Sequence, residues 1–411
     1  MLSSPASAPH DCERPIPGSP REAAVRLLFG DRALAASAAS GLDRSDGWRH
    51  VVEACSDWGA LPPLRRRVDE LGLVLPDTVR GLFRARASAV FLRSVSCLHQ
   101  GARALAALNE AGIPAVGIKG VAAVASIHRG PHERTLGDAD LLLRFADLDR
   151  AVAALGRSGF RLDVNLAGYV EFSRRHPIVG NLSVSMFAPG GEELDLHWRM
   201  GSADVEAVLA AAQPAEVYGR RIAVASHAHG FLLGVHHLLR NDFELDRGIR
   251  DLLDCRAWLD ALVDRGEAAD LAAEAVRWKL GAPALAVASI LAALCPAAPA
   301  ARAIPVFTAA LRESDRRQAR ALHECFLLQR SPGSWNVDLL RLLDTTRLVR
   351  FLTRRFGSGA TYTPVSVSYE EPGISARAGA LGRALVNTRW RLVWALRNAQ
   401  ARAFKHDMEA T

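Results

Sequence analysis

Two stretches, Lys119-Gly120 and Arg134-Thr-Leu-Gly-Asp138-Ala-Asp140-Leu-Leu-Leu, decide the fold of this chain. The short apolar run before Lys119 predicts one strand, and the leucines after Asp140 predict a second strand, with a loop between the two. Successive residues of a strand point to opposite faces, so an Asp-x-Asp pair on a strand places both carboxylates on one face. Two neighbouring carboxylates are suitable ligands for Mg²⁺.

A third acidic segment, Glu193-Leu-Asp195-Leu-His197-Trp198, follows downstream. Its polar and apolar residues alternate strictly, which predicts a half-buried strand with Asp195 and His197 on the same face. The spacing shows only that these pairs share faces. An Asp-x-Asp pair by itself is more typical of a solvated strand edge or turn than of a metal site.

Together these motifs resemble those of the uncharacterised nucleotidyltransferases of the DNA polymerase beta superfamily, which read approximately L-K-G-x-A, R-P-x-G-D-x-D-L-L-V and E-x-D-x-H. The similarity covers roughly residues 100–260. His128 replaces a usual Tyr and Thr135 replaces a Pro. The Gly-Ser pair of the wider superfamily is Lys119-Gly120, as in this subfamily.

The resemblance implies an enzyme that transfers a nucleoside monophosphate from an NTP, with ATP favoured, to an acceptor. It implies Mg²⁺, or alternatively Mn²⁺, bound by Asp138, Asp140 and Asp195, and a role for Asp195 in deprotonating the acceptor. The acceptor would be a small molecule, a sugar or a modified peptide of natural-product biosynthesis, and not a nucleic acid. Two alternatives stay open: an inert nucleotide-binding or scaffold protein, and an RNA- or DNA-directed transferase.

Four further residues are candidates for nucleotide binding. Lys119 and Gly120 lie between a strand and an expected helix, where free N–H groups and the helix dipole favour phosphate. Arg134 can pair bidentately with a triphosphate or, alternatively, form an ion pair with Asp138. His197 can hold a carboxylate or the acceptor, and a purely structural histidine is an equal alternative.

Hydrophobic periodicity predicts an α+β fold with helical regions on both sides of the sheet. The resemblance implies that this sheet is small and mixed, of the DNA polymerase beta type. Strands are expected near 160–164, 168–173 and 181–187, and from Val205 onward the pattern is almost entirely helical. The expected segments are a disordered tail (1–20), a helical lobe (21–112), the catalytic core (113–204), a helical domain (205–356), and a loop with a basic helix (357–411).

Composition limits the class of protein. A chain of 411 residues with 49% hydrophobic content can bury a large core. The six cysteines show no C-x-x-C spacing, so neither a zinc site nor a disulfide framework is indicated, and reduced thiols in the cytoplasm are expected. An uncharged, alanine-rich run between Lys279 and Arg302 contains prolines, and so favours a buried helix near 284–295 over a membrane span.

Other polar residues of the helical domain are expected to be structural. No H-E-x-x-H pattern accompanies the four histidines, and their apolar neighbours indicate core packing and not a metal site. These histidines are His227, His229, His236 and His237. Asp251 and Asp254 are expected to cap a helix or to pair with Arg247, Arg250 or Arg256.

The net charge of +7 is concentrated at one end of the chain. Residues Ile374 to Asp407 carry a surplus of +6, and their apolar residues recur with helical spacing. This pattern predicts a basic amphipathic helix. Its expected role is a solvated cap on the domain, with peripheral contact to an anionic membrane or binding of an acidic partner as alternatives.

Overall fold

The computed structural model describes most of the chain up to residue 327, including every residue proposed above for catalysis or nucleotide binding. The described ranges are 20–42, 45–162, 183–201, 203–240, 245–296 and 298–327. Four predicted segments lie outside these ranges, except that Pro20, the last residue of the first segment, is described. They are the tail at 1–20, the strand at 168–173, the loop at 357–373 and the basic helix at 374–407.

One mixed sheet contains all the strands of the described residues. The strands are β1 Ala115–Gly117, β2 Ala139–Leu143, β3 Arg161–Leu162, β4 Ser183–Phe187, β5 Glu193–His197, β6 Gln213–Val217 and β7 Arg220–Val224. Their order across the sheet is β3-β4-β5-β2-β1-β7-β6. β2 pairs in parallel with β5, and β1 pairs in parallel with β7, whereas the other neighbours are antiparallel. The expected strands around the acidic motifs are confirmed.

Helices surround this sheet, so the predicted α+β class is confirmed. The described helices are α1 Pro20–Phe29, α2 Arg32–Ser40, α3 Ser45–Asp57, α4 Leu61–Leu71, α5 Asp77–Glu110, α6 Lys119–Ser126, α7 Leu148–Arg157, α8 Val205–Ala210, α9 His227–Arg240, α10 Leu245–Asp264, α11 Ala268–Arg277, α12 Gly281–Leu294, α13 Ala303–Ala310 and α14 Glu313–Leu327. Short 3₁₀ turns precede α7 and α13.

The long helix α5 supports the sheet. It packs against β1, β2 and β7. Gly101 lies where the helix approaches β2 most closely, because a Cβ at this position would be 3.0 Å from the Cβ of Ala139. The helix ends where the sequence indicates. Gly112 has a φ of 66°, and the N–H of Ile113 bonds to the carbonyl of Leu108, as in a glycine C-terminal cap. The chain then enters β1 directly.

A hairpin formed by β6 and β7 corrects the expectation of helix from Val205 onward. Its turn consists of Tyr218 and Gly219, which both have positive φ, as the two central residues of a type I′ turn require. The alanine-rich neighbourhood hid this signal. β7 adds to β1 through the Gly117–Val224 pair, so the sheet extends past residue 204, the expected end of the catalytic core.

The apolar run after Lys279 forms the buried helix α12, as predicted. Throughout the described ranges, no helix has both the length and the hydropathy needed to cross a bilayer. Among the cysteines of these ranges, Cys55, Cys97, Cys255 and Cys295 are buried free thiols.

Gly117 tests how closely β1 and α6 pack. A Cβ on Gly117 would lie 2.6 Å from Cγ1 of Val121, a stiff β-branched side chain, so we expect Gly117→Ala to lower the free energy of unfolding by about 1–3 kcal/mol. Gly81→Ala in α5 is the matched control. A Cβ there meets nothing within 4 Å, and the change should stabilise the protein by about 0.5–1 kcal/mol. Urea denaturation measures both. Equal effects of the two substitutions would contradict the close packing.

Candidate functional site

The parallel pairing of β2 with β5 brings the polar residues of the two motifs together. In the register of these strands, Asp140 lies opposite Asp195, and Leu142 lies opposite His197. Asp195 and His197 face the same side because they are two residues apart on one strand. As a result, Asp140, Asp195 and His197 each present a potential ligand atom within 4.8 Å of the others. Of the residues that the structure describes, no other group of three acidic, histidine or cysteine side chains meets this condition.

Asp140 is buried, and one of its oxygens accepts two hydrogen bonds. Nζ of Lys119 donates to Oδ1 over 2.6 Å, and Nε2 of His197 lies 2.8 Å from the same atom. Burial alone would favour the neutral acid, but Lys119 and His197 outweigh it and hold the pKa of Asp140 well below its usual range. Asp140 is therefore a carboxylate at neutral pH.

Asp195 is held by a residue that sequence analysis missed. Oγ of Ser185 donates to Oδ1 of Asp195 over 2.6 Å. The two residues are direct partners in the antiparallel pairing of β4 with β5. The strand near 181–187 was expected from the sequence, but only its register relative to β5 shows that Ser185 faces the acidic residue.

Asp138 does not lie on β2, which begins at Ala139. It occupies a bend just before the strand, so the pairing of β2 does not itself place the Asp138 carboxylate on the face of Asp140. Asp138 is also not one of the three residues whose ligand atoms cluster within 4.8 Å. Burial raises the pKa of Asp138, and the charge of Asp140 raises it further, while Lys119 and Arg250 oppose both effects. Asp138 is thus close enough to sense the cluster electrostatically.

Helix α5 fixes the loop that leads to Asp138. The buried hydroxyl of Ser94 accepts a bond of 2.9 Å from the N–H of Leu136, and Nη2 of Arg93 donates to the carbonyl of Gly137 over 3.1 Å. The backbone of β2 is attached to the next element as well, because the N–H of Ile118 donates to the carbonyl of Asp140 over 3.0 Å. These bonds position the carboxylates relative to α6.

The junction at Lys119-Gly120 is a strand-to-helix turn, as predicted, and α6 begins at Lys119. Lys119 has a φ of 46°, in the left-handed region that a lysine rarely adopts, and such strain is often found at functional sites. Gly120 allows a close approach, but by a protein side chain: a Cβ there would be 2.4 Å from Nη1 of Arg134.

Arg134 is buried in an ion pair with Asp254 of α10, so the alternative of an ion pair with Asp138 is not observed. Its Nε and Nη2 donate to Oδ2 of Asp254 over 3.0 and 2.8 Å, and Nη1 donates to the carbonyl of Thr135 over 2.7 Å. Nε2 of His128 lies 2.8 Å from Oδ1 of Asp254. Burial opposes ionisation of Asp254, but the charges and hydrogen bonds of Arg134 and His128 lower the pKa of Asp254 below its usual value.

The partners of two acidic residues of α10 therefore differ from those expected. Asp254 pairs with Arg134 and His128. Asp251 lies 2.8 Å from Nδ1 of His237. The arginines expected as partners are close in sequence, whereas the observed partners come from other segments that only the tertiary fold brings near.

The histidines of α9 have structural contacts, as the sequence indicated. The ring of His229 stacks on Trp278 with 5.2 Å between centroids, and its Nδ1 lies 3.1 Å from the hydroxyl of Ser226. Nδ1 of His227 lies 2.7 Å from Nη1 of Arg265. Among the described residues, none of the four histidines belongs to the cluster of potential metal ligands.

The donor atoms of the cluster fit a hard divalent cation. Oδ1 of Asp140 and Oδ1 of Asp195 are occupied by hydrogen bonds, and within the described ranges no hydrogen bond reaches Oδ2 of either residue. Two carboxylate oxygens are thus free to bind a metal of the Mg²⁺ type. His197 uses Nε2 to bond Asp140, so it orients the carboxylate, as second-shell residues of metal sites do.

Comparison with known proteins agrees with the geometry. A family model described as "uncharacterised nucleotidyltransferase" matches residues 44–296, more than half of the chain. The matched residues include the acidic cluster, the Lys119-Gly120 turn, and both Arg134 and Asp254. A search of curated proteins found no match.

The buried pair of Arg134 and Asp254 generates a stability prediction. Asp254→Asn leaves a buried guanidinium without its counter-charge, so we expect the free energy of unfolding at pH 7 to fall by about 3 kcal/mol. Because folding lowers the pKa of Asp254, this contribution is present at neutral pH. It is lost as the pH falls below the ordinary aspartate pKa of about 4 and through the lower pKa of the folded state.

Asp264→Asn on the same helix is the matched control. Asp264 pairs with Arg302 at the surface, where both side chains are exposed, so its loss should change the free energy of unfolding by less than about 1 kcal/mol. Urea denaturation at pH 7 and pH 3 compares the two variants. A penalty for Asp254→Asn that is no larger than that for Asp264→Asn, or that does not shrink at pH 3, would contradict the role given to the buried pair.

Proposed function

Because the chain belongs to this family of uncharacterised nucleotidyltransferases, we propose that it is an enzyme that transfers a nucleoside monophosphate from an NTP to an acceptor in a Mg²⁺-dependent reaction. The observation that carries the proposal is the approach of Asp140 and Asp195 across paired strands, with one oxygen of each held by the protein and the other free. Such a pair has no evident structural purpose, since burying two adjacent carboxylates opposes folding.

Asp140 and Asp195 are the proposed metal ligands, and Asp138 completes the set from the bend before β2. When bound, Mg²⁺ or Mn²⁺ would neutralise the phosphate oxygens of the NTP and favour in-line attack on the α-phosphate. His197 and Lys119 hold Asp140 ionised and oriented before substrate arrives. Ser185 orients Asp195 through its hydrogen bond to Oδ1.

Lys119 is the proposed phosphate-binding side chain. Its ammonium group lies at the first turn of α6, beside Asp140, and it can exchange its contact with the carboxylate for one with a phosphate oxygen. Gly120 contributes through its backbone N–H at the same helix end. Arg134 supports this turn. Its guanidinium lies against Gly120, and the ion pair with Asp254 fixes the position of the guanidinium.

Asp195 is the residue that we assign to the acceptor. Its side chain is less buried than that of Asp140, so it is the more accessible of the two carboxylates. A carboxylate with a free oxygen in this position can accept the proton of an attacking hydroxyl. We propose ATP as the nucleotide and a small molecule, a sugar or a modified peptide as the acceptor.

The carboxylates provide the first test of function. Asp140→Asn and Asp195→Asn should each abolish Mg²⁺-dependent NTP turnover, with losses of at least about 100-fold, because each removes a charged ligand. Asp149→Asn on α7, an exposed aspartate near the end of β2, should leave activity unchanged. Calorimetry with each NTP and Mg²⁺ measures nucleotide binding, and a screen of acceptors then measures turnover. If both variants bound NTP as strongly as the wild type, and if binding did not need metal, the assignment of Asp140 and Asp195 as metal ligands would be refuted. An inert nucleotide-binding protein would then be favoured.

Lys119 separates phosphate binding from metal binding. Lys119→Met should weaken NTP binding by roughly 10-fold or more, because a charge-assisted hydrogen bond to phosphate is lost. Binding of Mn²⁺ alone should not weaken, since the substitution removes a cation beside the ligands. Lys279→Met is the matched control: Lys279 is exposed and also has a positive φ, but it lies in the turn before α12. NTP affinity that is unaffected by Lys119→Met would exclude the phosphate role.

A further inference from the structure

A cavity of about 330 Å³ is lined by both members of the Arg134–Asp254 pair. Its walls come from α1, α4, the segment between α6 and β2, and α10. The lining is unusually rich in arginine. The five guanidinium groups that face the cavity belong to Arg66, Arg67, Arg134, Arg250 and Arg256.

Four of these arginines are paired within the protein. Arg134 pairs with Asp254, and Arg66 lies 3.5 Å from both Glu70 and Glu133. Arg67 donates to the carbonyls of Leu27 and Gly30 and pairs with Glu70. Arg256 donates to the carbonyl of Phe29 and lies 3.5 Å from Asp260. The four carboxylates that line the cavity, Glu70, Glu133, Asp254 and Asp260, are thereby engaged.

Arg250 is the exception. Across the described ranges, no carboxylate lies within ion-pair distance of its guanidinium and no hydrogen bond from it is observed. Its side chain is half-buried and lies over Gly59, where a Cβ would be 3.5 Å from Cδ and 3.8 Å from Nη1 of Arg250. The side chain is therefore placed by packing, and its donors are left for another group.

Arg250 also lies close to the loop that leads to the acidic cluster. A Cβ on Gly59 would be 3.5 Å from Cδ of Arg250 and 3.8 Å from Cβ of Thr135, which precedes Asp138 by three residues. Arg250 precedes Asp254 by one helical turn, and Asp254 holds the arginine that touches the first turn of α6. A ligand in the cavity that pairs with Arg250 would thus be adjacent to the proposed site of phosphoryl chemistry.

We propose that this cavity is a phosphate-binding subsite, in which the free guanidinium of Arg250 pairs with a phosphate group of a substrate. A planar guanidinium matches two phosphate oxygens, and the partial burial of Arg250 strengthens the pairing because it reduces screening by water. The phosphate belongs either to the tail of the NTP or to the acceptor. This identification of the ligand as a substrate rests on the proposed function, whereas binding of a phosphate does not.

Inorganic pyrophosphate is the probe, titrated into the full-length protein in EDTA so that no metal contributes. The wild type should bind it, and Arg250→Gln should weaken binding by about 10-fold or more. Arg250→Lys keeps the charge but not the planar, bidentate guanidinium, so its affinity should lie between those of the wild type and Arg250→Gln. Arg66→Gln is the matched control, since Arg66 lines the same cavity but is already paired, and it should change the affinity by less than about 3-fold. Thermal melts check that each variant is folded.

Several results would overturn the proposal: no binding of pyrophosphate by the wild type at millimolar concentration, equal affinity in Arg250→Gln, or a loss caused by Lys119→Met and not by Arg250→Gln. Asp140→Asn/Asp195→Asn separates this proposal from the proposed function. That variant should keep metal-free pyrophosphate binding even though it loses turnover. Competition between pyrophosphate and Mg²⁺-NTP assigns the phosphate to the donor, and simultaneous binding assigns it to the acceptor. Both results support the subsite.

Discussion

The parallel pairing of β2 with β5 is the constraint on which the site depends. It places Asp140 opposite Asp195 although the two residues are far apart in the sequence. Asp140 is buried and Asp195 is partly buried, so their carboxylates repel each other and the pairing is tolerated only because other groups compensate. Lys119 and His197 supply this compensation for Asp140, and Ser185 supplies a hydrogen bond to Asp195. The strand pairing, the start of α6 and strand β4 therefore act as one unit, and a shift of register by one residue would dismantle it.

The helical regions are part of this unit. On one side, Ser94 and Arg93 of α5 hold the backbone just before Asp138. On the other side, Asp254 of α10 holds Arg134, which precedes Asp138 by four residues in the same loop. The loop between α6 and β2 is thus held by two helices, of which α5 precedes the loop in the sequence and α10 follows it. The site belongs to the folded chain as a whole and cannot be assigned to the residues 113–204 alone.

Local patterns were sufficient to predict the elements that carry the motifs. The alternation in Glu193–His197 and the apolar run after Asp140 predicted β5 and β2. The partners of charged residues were not predictable, because they depend on tertiary contacts. Arg134 pairs with Asp254 and not with Asp138, and Ser185 reaches Asp195 only through strand register. The β6–β7 hairpin was missed although its Tyr218-Gly219 turn is visible in the sequence, because the surrounding alanines resemble helix.

The hairpin also determines how the sheet ends. In the described part of the chain, β6 is the last strand on one side and the two-residue β3 is the last on the other. A strand at the border of a sheet presents unsatisfied backbone groups that can recruit a strand from another molecule. In β6, Pro214 has no N–H to offer and Glu216 adds charge. The border formed by β6 is therefore a poor template for intermolecular β-pairing, which lowers the tendency of the protein to aggregate through this strand.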